Sequence, residues 1–463
     1  MNPFFNPLFL SRILISYLFD IDRVWKASYA ELKKYQDKSL RRIVKHAYSV
    51  PFYHKKCKKH GVHPHDIRGV KDVEKLPFVT KNDLRENFPD GIVPVGFNKK
   101  NSFMMSTSGS TGKPVFVFCD IFSAIKSLEA FVRGLRAYGG SWRKTRIVLI
   151  IDLSPGSVEY TFFTQSAMPI LKKLVPLENI RYLHIGEKPE LLIEKINEFN
   201  PEFIGSDPNM LRILAYLKQN GYGRDVKPKY VLSGGSMLDS YTRQYIEKTF
   251  DAKVLDYYAT TEAGPIAFEC LNGSYHINSD FVILEFLDDE NQPVEPEKPG
   301  HVVVTKLYGG GTPIIRYNGL DDLVIHSRDI CSCGINTPLI KHIVGRSTDV
   351  IILPNGKMLT PFSLTGIPAK IMEEYGTYKI KQFQIIQHKI DEIEILVVID
   401  DKTRDIEPPV EKILKELKER FQEKIGSDIK IFVSEVPEIQ KNERIDHTKV
   451  VISKIKKPHT SIP

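Results

Sequence analysis

Two patterns in the 463-residue chain predict an α/β fold in two parts: a large N-terminal domain over residues 1–348 and a small α+β domain over 349–463. The first pattern is an alternation of short apolar runs with helical segments, which implies strands of a sheet crossed by helices. The second is a reset near Asp349, after which paired strands and one amphipathic helix appear. Length agrees, because beyond about 250–300 residues a single hydrophobic core stops growing and chains divide.

Ser28–His46 carries apolar residues at helical spacing, and Thr80 or Asn82 is placed to cap a short helix within 72–88. Ile147–Asp152 (IVLIID) is continuously apolar and short, as expected for a strand buried on both faces. Helices are expected at Ser166–Leu174 and Pro189–Asn197, and strands at Phe203–Gly205, Tyr230–Ser233 and Lys253–Tyr257. Residues 276–352 add FVILEFL, HVVVTKL and DVIIL between Gly/Pro turns, a β-rich portion appended to the α/β layers. Beyond it, Ile380–Val398 alternates like paired strands. Pro408–Ile425 places Val410, Ile413, Leu414, Leu417 and Phe421 on one helical face, and Ile429–Val433 reads as a strand.

Composition narrows the function. The net charge of +8 is mild for this length and suits anionic ligands or a plain basic surface. Nucleic-acid binding requires a concentrated basic stripe interleaved with aromatics, which KKCKKHGVH (55–63) is too short to supply. No secretory signal is read at the N-terminus. Leu8–Leu18 is apolar but interrupted by Arg12 and too short to cross a bilayer, so it is either a helix docked on the body or an interfacial anchor with weak membrane-surface contact. Five cysteines do not make a disulfide framework in so long a chain, and a reducing cytoplasm is expected.

The chemistry concentrates first in STSGSTGKP (106–114). Its glycines Gly109 and Gly112 let backbone N–H groups approach a ligand closely. Ser106, Thr107, Ser108, Ser110 and Thr111 add hydroxyl donors, and Lys113 adds a point charge suited to phosphate. Pro114 follows Lys113 where a Walker A loop needs Ser or Thr, so the loop is a polyphosphate cradle of another type.

Further motifs follow in order: YATTE (258–262), IRYNGLD (315–321) and GRSTD (345–349). Together with the loop they resemble the adenylate-forming superfamily of acyl-CoA synthetases, nonribosomal adenylation domains and luciferases. Within it, HAYSVPFYHKKC (46–57), LPFVTKNDL (76–84) and CSCGINTPLIKHIVGR (331–346) are similar to the phenylacetate–coenzyme A ligase branch and its capsule-biosynthesis-like relatives. The chain departs from the superfamily pattern at Ala259, Leu320 and Thr348.

The resemblance implies a fold and a two-step reaction. The fold is a large adenylate-forming domain with a small mobile one. A small-molecule carboxylic acid attacks the α-phosphate of ATP to give acyl-AMP and pyrophosphate, and the thiol of coenzyme A then takes the acyl group. The loop Ser106–Lys113 would grip the β- and γ-phosphates. Glu262 would bind Mg²⁺, Thr261 would contact the α-phosphate, and Tyr258, with Ala259 and Thr260, would lie along the adenine. Gly235 and Ser236, after the strand-like VLS, are assigned to the same adenine pocket. Asp321 would accept from the ribose hydroxyls, Arg346 would sit nearby, and Asp349 would be the pivot of the small domain. That domain normally supplies a lysine in a Gly-Lys setting. EVPEIQKNERIDHTKVVIS (435–453) has none, so Lys449 is the first candidate and Lys441 the second.

Cys270 and His276, followed by the Cys331–Cys333 pair, offer three sulfurs and one imidazole. That is a complete tetrahedral zinc set without an open position, hence structural. Some members of the branch carry a similar arrangement. The competing reading is buried free thiols beside a surface histidine. Aromatics at Phe203–Pro208 and Tyr160–Phe163 are candidates to line an acyl pocket or to fill the core. The expected function is an AMP-forming acid–CoA ligase, monomeric or homodimeric. The alternatives are an adenylating enzyme with another acceptor (an amine, a carrier protein or a cofactor) and a nucleotide-binding protein without turnover.

Overall fold

A computed structural model describes residues 6–99, 102–107, 115–154, 160, 177–346, 351–355, 358–359, 361–377, 379–439 and 450–455. The chain divides into two compact units. One comprises Met1–Gly235, Ile246–Leu320 and Val324–His342; the other comprises Ser236–Tyr245, Asp321–Leu323 and Ile343–Pro463. The expected domain boundary at 348/349 lies outside the described residues, as does the helix expected at Ser166–Leu174.

An 11-stranded sheet organises the first unit. Its parallel half runs Ile180–His184, Ile147–Ile151, Phe203–Ser206, Tyr230–Gly234 and Lys253–Thr260 in spatial order. Helices Pro189–Phe199, Pro208–Gln219 and Ser240–Phe250 make the crossovers. The pattern then reverses: Lys253–Thr260 turns back into Gly264–Glu269, which pairs with Tyr275–Ile277, each junction antiparallel. Leu339–Arg346, Asp322–Ser327, Pro299–Lys306 and Val282–Leu287 complete the sheet. The α/β layers and the β-rich portion expected from sequence are therefore two halves of one sheet.

Helix Ile121–Ala137 lies against this sheet. Asp120 caps it, its carboxylate accepting from the Ser123 amide at 2.9 Å. Leu135 and Tyr138 pack with Ile147, Phe203, Leu232 and Leu255, so Phe203 serves the core and not an acyl pocket. Gly134 faces Tyr257 so closely that a Cβ would stand 2.3 Å from its hydroxyl; the hydroxyl meanwhile donates to the Ala130 carbonyl.

Arg133 of the same helix is fully buried, and Asp280 is its bidentate partner at 2.9 and 2.6 Å. Breaking one side leaves a buried charge uncompensated, which costs roughly 3–5 kcal/mol. Asp280→Ala is expected to lower the free energy of unfolding by that order, and the double replacement Arg133→Met/Asp280→Leu to recover a good part of it. Denaturant titration of the three proteins checks this.

The second unit holds a four-stranded sheet in the order Lys430–Glu435, Glu392–Ile399, Ile380–Lys389 and Val451–Ser453. The central pair is the antiparallel hairpin expected from its alternation, and both edge strands are parallel to their neighbours. Helix Val410–Ile425 buries Ile413, Leu417 and Phe421, as the apolar stripe predicts. It starts at Val410, two residues after the expected Pro408, because Pro409 occupies the N-cap in an extended conformation.

Candidate active site and metal centre

The 106–114 loop is carried on a hairpin. Strands Ser102–Ser106 and Phe116–Asp120 are antiparallel, with Ser106 opposite Phe116. At the neck the Thr107 amide donates to the Val115 carbonyl at 2.9 Å, and the Val115 amide donates to Thr107 Oγ1 at 3.0 Å. Both ends of the glycine-rich segment are thus fixed. Ser108–Pro114, including Lys113, lies outside the described residues.

The second component is the turn after strand Lys253–Thr260. Thr260 stands opposite Gly264, and Thr260 Oγ1 accepts from the Ala263 amide at 3.2 Å. Glu262 is buried in this turn. Tyr317 donates its hydroxyl to Glu262 Oε1 at 2.8 Å, which orients the carboxylate. Tyr258 is buried one residue beyond Tyr257, which is in register with Gly234 on the parallel neighbour. Gly235 follows with φ +87° and open space where a Cβ would be. Tyr258 and Gly235 therefore occupy the same end of adjacent strands. This is the carboxyl end of the parallel half, where α/β sheets bind ligands.

Segment 308–317 ties the two components together. Tyr308 Oη reaches the Ala263 carbonyl at 3.5 Å. The Gly310 amide donates to Asp120 Oδ2 at 2.9 Å, and the Thr312 amide donates to the Phe118 carbonyl at 2.8 Å. The Phe118 amide returns a bond to Thr312 Oγ1 at 3.0 Å. A Cβ at Gly311 would stand 2.0 Å from the Phe118 carbonyl oxygen, so only glycine fits this approach. The segment ends at Tyr317, hydrogen-bonded to Glu262.

A cysteine–histidine cluster closes the far end of strand Gly264–Glu269. Cys270 follows that strand in a turn made by the Gly273 amide donating to the Cys270 carbonyl at 2.9 Å. His276 sits on Tyr275–Ile277, opposite Phe268. Cys331 and Cys333 approach from the turn before Leu339–Arg346. Cys270 Sγ lies 3.6 Å from Cys331 Sγ, and His276 Nε2 lies 3.2 Å from Cys333 Sγ. All four donor atoms lie within 4.8 Å of one another. Ligands about 2.3 Å from a tetrahedral zinc stand roughly 3.8 Å apart, so the donor set fits that ion.

Burial lowers the His276 pKa to about 4, which keeps the imidazole neutral and its lone pair available. Its other nitrogen, Nδ1, is 3.2 Å from Thr337 Oγ1, the outer contact that fixes a ligating ring. Burial also raises the Cys270 and Cys333 thiols, a cost that a bound cation would remove by stabilising thiolates. His276 is fully buried, against the surface-histidine alternative.

Two family models match the chain: AMP-binding enzyme over residues 34–308, and CapK C-terminal domain over 354–454. The chain belongs to the AMP-binding enzyme family. This AMP-binding enzyme is 27% identical to a phenylacetate-coenzyme A ligase of Aromatoleum evansii, across 90% of this chain and 93% of that protein. It is 24% identical to Protein CapK of Staphylococcus aureus, across 83% and 82%. In fold it is similar to 2-hydroxyisobutyryl-CoA ligase, with a TM-score of 0.78, 20% identity and coverage of 93% and 91%.

Of the other nucleotide-site candidates in this AMP-binding enzyme, Ser236 follows Gly235 and opens a segment of the second unit. Asp321 has φ +59° and immediately precedes strand Asp322–Ser327, and Arg346 ends strand Leu339–Arg346. Thr261 is half-buried beside Glu262, and Ala259 is exposed. Lys441, Lys449 and Asp349 lie outside the described residues. Sequence reading missed Tyr317 and Thr337. Tyr317 lies inside IRYNGLD, whose aspartate alone had drawn attention, and its role appears only when residues 55 apart meet.

Proposed function

We propose that this protein is an AMP-forming acid–thiol ligase that activates a small carboxylic acid with ATP and passes the acyl group to coenzyme A. The observation that carries the reading is the joined pair of elements: a glycine–hydroxyl hairpin loop and the Glu262 turn, tied by segment 308–317. Membership of the AMP-binding enzyme family and similarity to phenylacetate-coenzyme A ligases support it.

The carboxylate and the triphosphate repel each other, so charge neutralisation and positioning carry the first step. Ser106–Lys113 holds the β- and γ-phosphates, Thr261 steadies the α-phosphate, and Lys449 approaches the reacting oxygens from the small domain. Tyr258, Ala259, Thr260, Gly235 and Ser236 border the adenine, while Asp321 accepts from the ribose with Arg346 beside it. Glu262, held by Tyr317, is the Mg²⁺ ligand; bound there, the ion neutralises phosphate charge. Residues 1–348 act as the nucleotide and acid domain, and 349–463 as the domain that turns about Asp349 between the two steps. Cys270, His276, Cys331 and Cys333 hold a structural Zn²⁺. The enzyme works in the cytoplasm.

Acid-dependent ATP–pyrophosphate exchange across a panel of carboxylic acids, with and without coenzyme A, tests this proposal. The expected result is exchange with at least one acid and release of AMP only when coenzyme A is added. ATP binding without exchange for any acid would leave a nucleotide-binding protein without turnover. A second reading keeps adenylation and changes the acceptor. Exchange without coenzyme A-dependent AMP release would select it. The missing Gly-Lys in 435–453 bears on the first step and so favours the reading without turnover, not a change of acceptor.

A further inference from the structure

Helix Pro7–Phe19 departs from the usual arrangement of a surface helix, because it leaves a broad apolar face exposed. Such helices normally bury an apolar stripe and expose a polar one. Here the side toward the body carries the polar residues Arg12, Ser16 and Tyr17 together with the half-buried Phe9 and Ile13. Ser16 is buried, its Oγ 2.9 Å from Asp20 Oδ2 and 3.0 Å from Glu129 Oε2. Lys126 donates to Ser16 Oγ at 2.5 Å and pairs with Asp20. Arg133 donates to the carbonyls of Asp20 and Ile21 at 2.7 and 2.9 Å. The Arg12 guanidinium lies over the Phe122 ring at 3.7 Å.

The opposite face carries Leu8, Leu10, Leu14, Ile15, Leu18 and Phe19, all exposed, Leu8 to 80% and Phe19 to 63%. At 3.6 residues per turn these six fall on one half of the circumference, with Ser11 the sole polar residue among them. The helix contains no acidic residue. A contiguous apolar face of this kind marks an interaction surface.

What surrounds that face identifies its partner. Tyr17 and Trp142 meet edge to face at 6.4 Å beside it, with Trp142 Nε1 donating to Tyr17 Oη at 3.2 Å. Arg143 stacks on Trp142 at 5.0 Å, and Arg143 and Lys144 are both exposed. An apolar face, an amphipathic Tyr–Trp pair and the exposed basic Arg143–Lys144 segment that follows Trp142 match the layers of a lipid leaflet: acyl chains, interface and anionic headgroups. A second copy fits less well, because a twofold contact would set Arg143 and Lys144 near their own equivalents. No helix among the described residues is long and apolar enough to cross a membrane, so contact is confined to the surface.

We propose that this protein docks on anionic membrane surfaces through the outward face of helix Pro7–Phe19, with Arg143 and Lys144 engaging the headgroups. This is independent of the ligase reading. The test is flotation of the full-length protein with vesicles of phosphatidylcholine alone, and of phosphatidylcholine mixed with phosphatidylglycerol. The protein is expected to float with the mixed vesicles and to lose that binding as salt rises. Leu14→Ser/Leu18→Ser should cut the bound fraction about tenfold or more, given the transfer energy of two leucines. Arg143→Ser/Lys144→Ser should cut it on mixed vesicles only and flatten the salt dependence. These positions are exposed, and an unchanged melting temperature confirms folding of each variant. Absence of binding to the mixed vesicles overturns the proposal, as does binding that ignores Leu14 and Leu18. So does self-association abolished by the leucine variant without any vesicle binding, which would assign the face to a second copy.

Discussion

Glu262→Gln is expected to reduce acid-dependent ATP–pyrophosphate exchange by about a hundredfold to a thousandfold while leaving the fold intact. Glutamine keeps the shape of the side chain and an acceptor for the Tyr317 hydroxyl, now 2.8 Å from Glu262 Oε1. What it removes is the negative charge that a hard cation needs. Losing one preorganised electrostatic contact at a developing charge raises the barrier by roughly 3–4 kcal/mol, and each 1.4 kcal/mol is tenfold. Tyr317→Phe is the control for orientation. It keeps the charge, removes one hydrogen bond to a buried carboxylate, and should cost about tenfold. Exchange rates for Glu262→Gln equal to wild type, with Mg²⁺ saturating, would remove Glu262 from the metal role. A melting temperature near wild type separates lost chemistry from lost structure.

The other large effect is structural. Purified protein should contain about one zinc per chain, and Cys333→Ser should abolish it. Loss of a closed metal site belongs to the small class of changes that cost on the order of 4–5 kcal/mol. Cys57→Ser, at a buried thiol outside the cluster, should leave the zinc intact. Metal analysis with thermal unfolding checks both variants. Zinc far below one per chain in wild type with reduced cysteines would overturn the site.

Much of this architecture was legible in the sequence, for identifiable reasons. IVLII is short and continuously apolar, so burial on both faces could be read directly, and YVLSG could be read as a strand. Helix Val410–Ile425 showed its core face at helical spacing. Strand Gly264–Glu269 escaped notice, because GPIAFE is buried almost throughout, contains a proline and shows no alternation. The Cys-x-Cys pair and the Cys–His pair were visible as donors. Their convergence into one set was expected too; what the sequence did not show is the pairing that brings it about, with Leu339 opposite His276. The hairpin that carries the phosphate-type loop was hidden too: SFMMS and FVFCD pair along their whole length, from Ser102 opposite Asp120 to Ser106 opposite Phe116, across the glycine-rich segment that separates them in sequence. Helix Pro7–Phe19 is the clearest limit. Its apolar content was plain, but only the position of Lys126, Glu129 and Arg133 reveals which side faces inward.

Strand Gly264–Glu269 has the Glu262 turn at one end and Cys270 at the other. One six-residue segment thus carries two proposed metal dependences of different origin. Inactivation by a chelator cannot then be attributed to a single ion. Activity restored by Mg²⁺ alone reports the nucleotide end. Activity restored only when Zn²⁺ is supplied first reports the opposite end, through the strand's anchorage. The order of addition becomes a way to dissect the two.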